Sequence, residues 1–236
     1  MSIKPIKQQP IKDLLLVLAT LFILKWLLLQ FDVTWTLAGP ISLLSALAVA
    51  TWRLKRQGQS WRDLGLTYTG SKLSLTLWTL GALVSTILIG NIAQSLASQL
   101  IPETTSIDQS NLDAMSNRFI NVPGNFLVYF FWIVVAWVIG GVTEELLFRG
   151  FLINRFEKVL IKIPFAIAIA IVLQALIFGQ QHMYYQGWVG FAATGVIGLL
   201  SGVIYVFSRR RLLPLVISHG LANSLGLTLM YLGVQT

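Results

Sequence analysis

The chain has 236 residues, of which 56% are hydrophobic and only 11% charged, and its mean hydropathy is +0.75. A soluble domain carries roughly 25% charged residues, so the composition excludes an ordinary water-soluble fold and selects an all-α, polytopic transmembrane bundle forming one domain over residues 1–236. The absence of cysteine excludes disulfides, zinc–thiolate sites and a cysteine nucleophile; the net charge of +8 has no aromatic interleaving, so it is read as membrane topology and no nucleic-acid partner is expected.

In chain order, residues 14–31 read as an uncleaved first span, interrupted only by Lys25 and Gln30. Lys25 lies near the outer end, where a lysine reaches water along its own stem, so a Lys25→Ala variant is expected to stay active. Residues 34–52 form the second span. A basic loop follows, with Arg53, Lys55, Arg56 and Arg62, and Trp61 to Leu66 is expected to lie in the membrane interface. Residues 74–100 form the third span, and 101–122 a polar, acidic loop. Residues 125–145 form the aromatic fourth span, ending at Glu144 and Glu145. Residues 149–162 read as a second basic loop, 164–182 as the fifth span and 187–207 as the sixth, whose Gly198-x-x-x-Gly202 allows close helix packing. Residues 209–211 make a third basic turn and 213–232 the seventh span. Fifteen of the 17 Lys and Arg fall in the N-terminus, 53–72, 149–162 and 209–211, all on one side of this scheme. The positive-inside rule then puts the N-terminus in the cytoplasm and loop 101–122 outside.

Three charges in six residues, Glu144, Glu145 and Arg149, close the fourth span. A charge at bilayer depth costs roughly 2.5–3.5 kcal/mol on insertion scales, so they need partners or a task. On an α-helix Glu145 and Arg149 share a face and pair, while Glu144, turned about 100° away, is left spare. The only two histidines, His182 and His219, sit on the fifth and seventh spans, and Asn223 shares a face with His219. Histidine and carboxylate together bind a metal, or hold and deprotonate a water.

Glu144-Glu145-x-x-x-Arg149, Phe178-x-x-x-His182 and His219-x-x-x-Asn223 together resemble the three-motif pattern of the CPBP (CAAX protease and bacteriocin-processing, Abi) family, similar to type II CAAX prenyl endopeptidases. The motifs occupy a core of roughly residues 125–235. Trp61 to Leu66 also resembles the segment before that family's third span, while the rest of the N-terminal third adds little. The resemblance implies an intramembrane metalloprotease in the plasma membrane of a bacterium. Its site would use Glu144, His182, His219 and Asn223 as catalytic residues, with Glu145, Arg149 and Phe178 supporting. It implies as substrate a membrane-associated peptide or lipidated protein, processed at a CAAX-type end or a leader. Zinc on Glu144, His182, His219 and Asn223, or metal-free glutamate–histidine catalysis, both fit these side chains.

Rival protease designs lack their residues: there is no His-Glu-x-x-His, no Gly-x-Ser-Gly and no aspartate within a span. A scaffold or immunity protein using the same polar cluster is the alternative; a transporter lacks the paired repeats it would need. Depth poses one difficulty. At 1.5 Å per residue, His182 lies about 27 Å along a helix begun at Pro164, whereas Glu144 and His219 lie nearer the inner face. Either the fifth helix starts deep or tilts, or the cavity reaches far inward.

Overall fold

The computed structural model describes residues 8–67, 70–102 and 117–234. All regular structure among them is helical, with no strand. The elements are α1 (Gln8–Leu28), a single turn α2 (Asp32–Trp35), α3 (Ala38–Arg56), a 3₁₀ turn (Trp61–Leu64), α4 (Lys72–Leu100), α5 (Phe126–Val135), a π-helical segment (Ala136–Leu152), α6 (Ile153–Val159), α7 (Ala166–Phe207) and α8 (Leu213–Tyr231). Loop 101–122 falls largely outside the described residues.

Four helices are long and apolar enough to cross a bilayer: Lys72–Leu100, Phe126–Val159, Ala166–Phe207 and Leu213–Tyr231. Their outward faces carry large apolar side chains, as on α4 with Leu77, Leu80, Val84, Leu88 and Ile92. A contiguous exposed apolar stripe of this kind is tolerable only against lipid. α1 and α3, expected as the first two spans, are helices of 21 and 19 residues that do not join these four, α1 because it carries three charges and α3 because it is less apolar. α1 contains Lys12, Asp13 and Lys25, and α3 ends on Arg53, Lys55 and Arg56. The two pair as a hairpin, with Leu14, Val17 and Leu21 meeting Leu43, Ala46, Ala50 and Leu54, and the hairpin packs onto Leu147, Phe148 and Phe151 of the π segment.

α7 is two antiparallel arms joined at Gly187, whose φ of 66° and ψ of −159° only glycine accepts readily. The arms, residues 166–186 and 188–207, are the expected fifth and sixth spans. Gly198 and Gly202 pack against Ala175 and Ile171 of the first arm, as the small-xxx-small spacing implies. Gln174 is fully buried between the arms and donates Nε2–H to the Gly198 carbonyl at 2.8 Å.

The fourth span does not stop at Glu145. It continues through the π segment and α6 to Val159, so the expected basic loop 149–162 is helix over most of its length. Two of its four basic residues, Arg149 and Arg155, are buried and paired inside the protein, while Lys158 and Lys162 are exposed. Arg155 donates Nε–H to Asp13 Oδ2 at 2.8 Å, and Arg53 donates to Asp13 Oδ1 at 2.6 Å, with Asp13 and Arg155 almost fully buried. Trp61 is half-buried, stacks obliquely on Phe151 at 6.4 Å and donates Nε1–H to Thr51 at 3.0 Å.

Candidate active site

The depth difficulty dissolves in this fold. Ile153 and Ile171 both meet Gly202, which sets a common level for α6 and the first arm of α7. Counted from that level, Glu144 is nine residues up its helix and His182 eleven residues up its arm, so the two stand at similar heights. α8 is fixed by Leu212 against Gly150, so His219 stands as far above Leu212 as Glu144 stands above Gly150, within a residue. The helix that carries Glu144 runs on past the expected end of its span, to Val159, whereas the first arm of α7 begins at Ala166, close to the expected start.

The π segment changes what the two glutamates do. An i→i+5 register winds a wider turn, so neighbouring side chains diverge by less than the α-helical 100°. The Thr143 hydroxyl, donating to the Val138 carbonyl five residues back at 2.8 Å, follows the same register. Both carboxylates therefore reach one imidazole: Glu145 Oε1 lies 2.8 Å from His219 Nδ1, and Glu144 Oε2 lies 3.8 Å from His219 Nε2. The Glu145–Arg149 pair anticipated from spacing is present at 3.1 Å, with Arg149 fully buried and its guanidinium 4.4 Å from the centre of the Phe178 ring. Glu144 is thus spare with respect to Arg149 but not with respect to His219.

Glycine at 140 leaves room for two side chains of α8. A Cβ there would collide with the Asn223 side-chain nitrogen and come within 3.3 Å of His219 Nε2. Phe178 holds the other side of the site. Its ring packs edge-on to Phe148 at 5.1 Å and lies 4.8 Å from the His182 ring, and its carbonyl accepts from His182 Nδ1–H at 2.9 Å. A carbonyl only accepts, which fixes the His182 tautomer and leaves Nε2 a free lone pair. By the same logic His219 Nδ1–H donates to Glu145, whose charge Arg149 balances, and its Nε2 faces the site.

Glu144, Glu145, Phe178, His182, His219 and Asn223 line a single cavity of about 630 Å³ between α4, α5, the π segment, α7 and α8. Arg149 stands behind Glu145, outside the lining. Among the described residues, no three His, Asp or Glu side chains are gathered as a metal-binding group. The donors expected to hold zinc share the cavity but do not converge as they stand.

Lys25 is not near water, contrary to the expectation from sequence. It is 4% exposed, and its ammonium donates to the Gln181 carbonyl at 2.7 Å and to Gln181 Oε1 at 3.1 Å. Two acceptors inside the protein replace the solvent its stem was expected to seek. Sequence reasoning also missed Asp13, Gln181 and Gly140. Asp13 and Lys25 were the charges in a nominally apolar helix, and that is the signal that could have found them.

Residues 126–225 match the model of the Rce1-like family, type II CAAX prenyl endopeptidase Rce1-like. That stretch, less than half of the chain, is similar to an Rce1-like domain. The match encloses all three motifs and every cavity residue on the π segment, α7 and α8 up to Asn223, and it agrees with the CPBP resemblance read from those motifs. The Rce1-like stretch begins at α5 and leaves α1 to α4 outside it. No curated protein and no solved structure matches the chain.

Proposed function

We propose that the chain is an intramembrane endopeptidase of a bacterial plasma membrane, with its N-terminus cytoplasmic, that cleaves a membrane-associated peptide or lipidated protein. The observation that carries this reading is the opening of Glu144, His182, His219 and Asn223 onto one cavity inside the Rce1-like stretch. Glu144 is the general base. It takes a proton from a water whose other hydrogen is accepted by His182 Nε2, and the hydroxide adds to the scissile carbonyl. Asn223 Nδ2–H and His219 Nε2–H donate to the oxyanion as it forms. To donate through both nitrogens His219 carries two protons, and the flanking Glu144 and Glu145 carboxylates balance that charge. Glu144 then returns its proton to the leaving amine.

The donors as arranged do not make a three-ligand metal group, so no step runs through a metal. If zinc enters, Glu144, His182, His219 and Asn223 are the ligands that must draw together. Elemental analysis of the pure protein decides this: stoichiometric zinc, lost in His182→Ala, establishes the metal form.

The decisive variant is Glu144→Gln. Glutamine keeps the volume and the acceptor oxygen but cannot take a proton, so cleavage of a lipidated peptide falls by about 10²–10⁴ with the fold retained. Cleavage at the wild-type rate would return the site to a scaffold or immunity role.

A further inference from the structure

α1 and α3 lie outside the stretch that matches the Rce1-like family, yet they brace the turn that carries His182. The Lys25 ammonium has three donors. One is accepted by the Gln181 carbonyl at 2.7 Å and one by Gln181 Oε1 at 3.1 Å, and the ammonium stands 4.3 Å from the centre of the Tyr184 ring. These partners flank His182 on both sides. From the same hairpin, Trp35 meets the Tyr184 ring edge-on at 5.4 Å, and Gly39 leaves room for the Tyr184 hydroxyl.

The location of this brace gives it meaning. His182 is on the last turn before Gly187, where the helix reverses, so no continuing helix holds that turn from beyond. Among the described residues, the one side-chain hydrogen bond His182 makes is to Phe178, on its own arm. An apolar residue could fill the space of Lys25 without the desolvation cost of a buried cation. What the cation adds is direction, because it takes hold of a main-chain and a side-chain oxygen of one residue.

We propose that Lys25 is a positioning residue for His182. By anchoring Gln181 and seating Tyr184 it holds the imidazole at the height of Glu144 and His219. The inference rests on the endopeptidase reading for what His182 does, but not for where His182 is held.

The test uses the full-length chain in micelles and the two histidines as their own controls. Diethyl pyrocarbonate modifies each, and mass spectrometry reads the two rates separately. In Lys25→Met, His182 is expected to react about fivefold faster or more, with His219 within about twofold, because Lys25 anchors the turn that carries His182 and makes no bond to α8. Cleavage of a lipidated peptide is expected to lose about tenfold or more in kcat with KM within about twofold, the pattern of misplaced chemistry rather than lost binding. Gln181→Met, which removes Oε1 and keeps the carbonyl, shifts His182 in the same direction by less. An unchanged His182 rate in folded Lys25→Met overturns the proposal. So does an equal rise at both histidines, which is general loosening. If Lys25→Met does not accumulate, Gln181→Met decides, and an unchanged His182 rate there overturns it as well. A freed His182 in a protein whose wild type cleaves nothing sustains the positioning and removes the endopeptidase reading. Wild-type cleavage with Lys25→Met matching it in both readouts does the reverse.

Discussion

Glutamine at position 145 removes one charge and almost no volume, and the structure says what that charge holds. A single oxygen, Oε1, meets both His219 Nδ1 at 2.8 Å and Arg149 at 3.1 Å. Arg149 is fully buried, and none of its nitrogens has a hydrogen-bond acceptor among the described residues, so the Glu145 carboxylate is its counter-charge. Removing one partner of a buried pair costs about 3–5 kcal/mol. For a chain of this size that lowers the melting temperature by about 6–20 °C. The same substitution weakens the hold on His219: a hydrogen bond to a charged group is worth about 1.5–3 kcal/mol, which is about 10–150-fold in rate. Glu144→Gln next to it breaks only a 3.8 Å contact and is expected to cost less than about 1 kcal/mol of stability, the scale of an ordinary substitution. Unfolding in detergent, followed by the fluorescence of the eight tryptophans, measures both variants. The reasoning fails if Glu145→Gln melts with wild type, or if the two variants lose the same stability.

Gly140→Ala places a methyl group against the Asn223 amide and His219, so activity falls by about 10²-fold, as for a displacement near 1 Å, while overpacking costs about 1–3 kcal/mol of stability. Asp13→Ala strands two arginines and lowers stability by about 3–5 kcal/mol; a second change, Arg155→Met, recovers part of the loss in the same melting assay. Cysteines introduced into a chain that has none report its orientation: Ser106→Cys, outside the described residues, reacts with an impermeant maleimide in intact cells, whereas Lys55→Cys reacts only after lysis.

The residues that share the cavity were legible in the sequence because they sit on helices whose faces are set locally. Four-residue spacing puts His219 beside Asn223 and Phe178 beside His182, and a glycine between two apolar runs marks the reversal at Gly187. The end of the fourth span was not legible. Arg149 and Arg155 look like loop residues when each charge is weighed against lipid alone, but Arg155 is paired with a carboxylate 142 residues away. The fate of Lys25 was hidden in the same way, since its acceptor lies 156 residues further along. The π register was hidden for a different reason. It changes which carbonyl each amide meets, and neither hydrophobic period nor composition records that choice.

These long-range pairs bear on how the active unit is bounded. The Rce1-like stretch holds every group that moves a proton in the proposed reaction, yet two of the interactions that set the heights of those groups begin on α1. Asp13 holds Arg155, eleven residues along the chain from Glu144, and so fixes the lower end of the helix that carries Glu144. Lys25 holds Gln181 and so fixes the upper end of the arm that carries His182. The two anchors are twelve residues apart on one helix, about 18 Å at 1.5 Å per residue. A rigid α1 therefore acts as a gauge between the base and the imidazole. A change in its length between Asp13 and Lys25 displaces His182 relative to Glu144 without touching either residue.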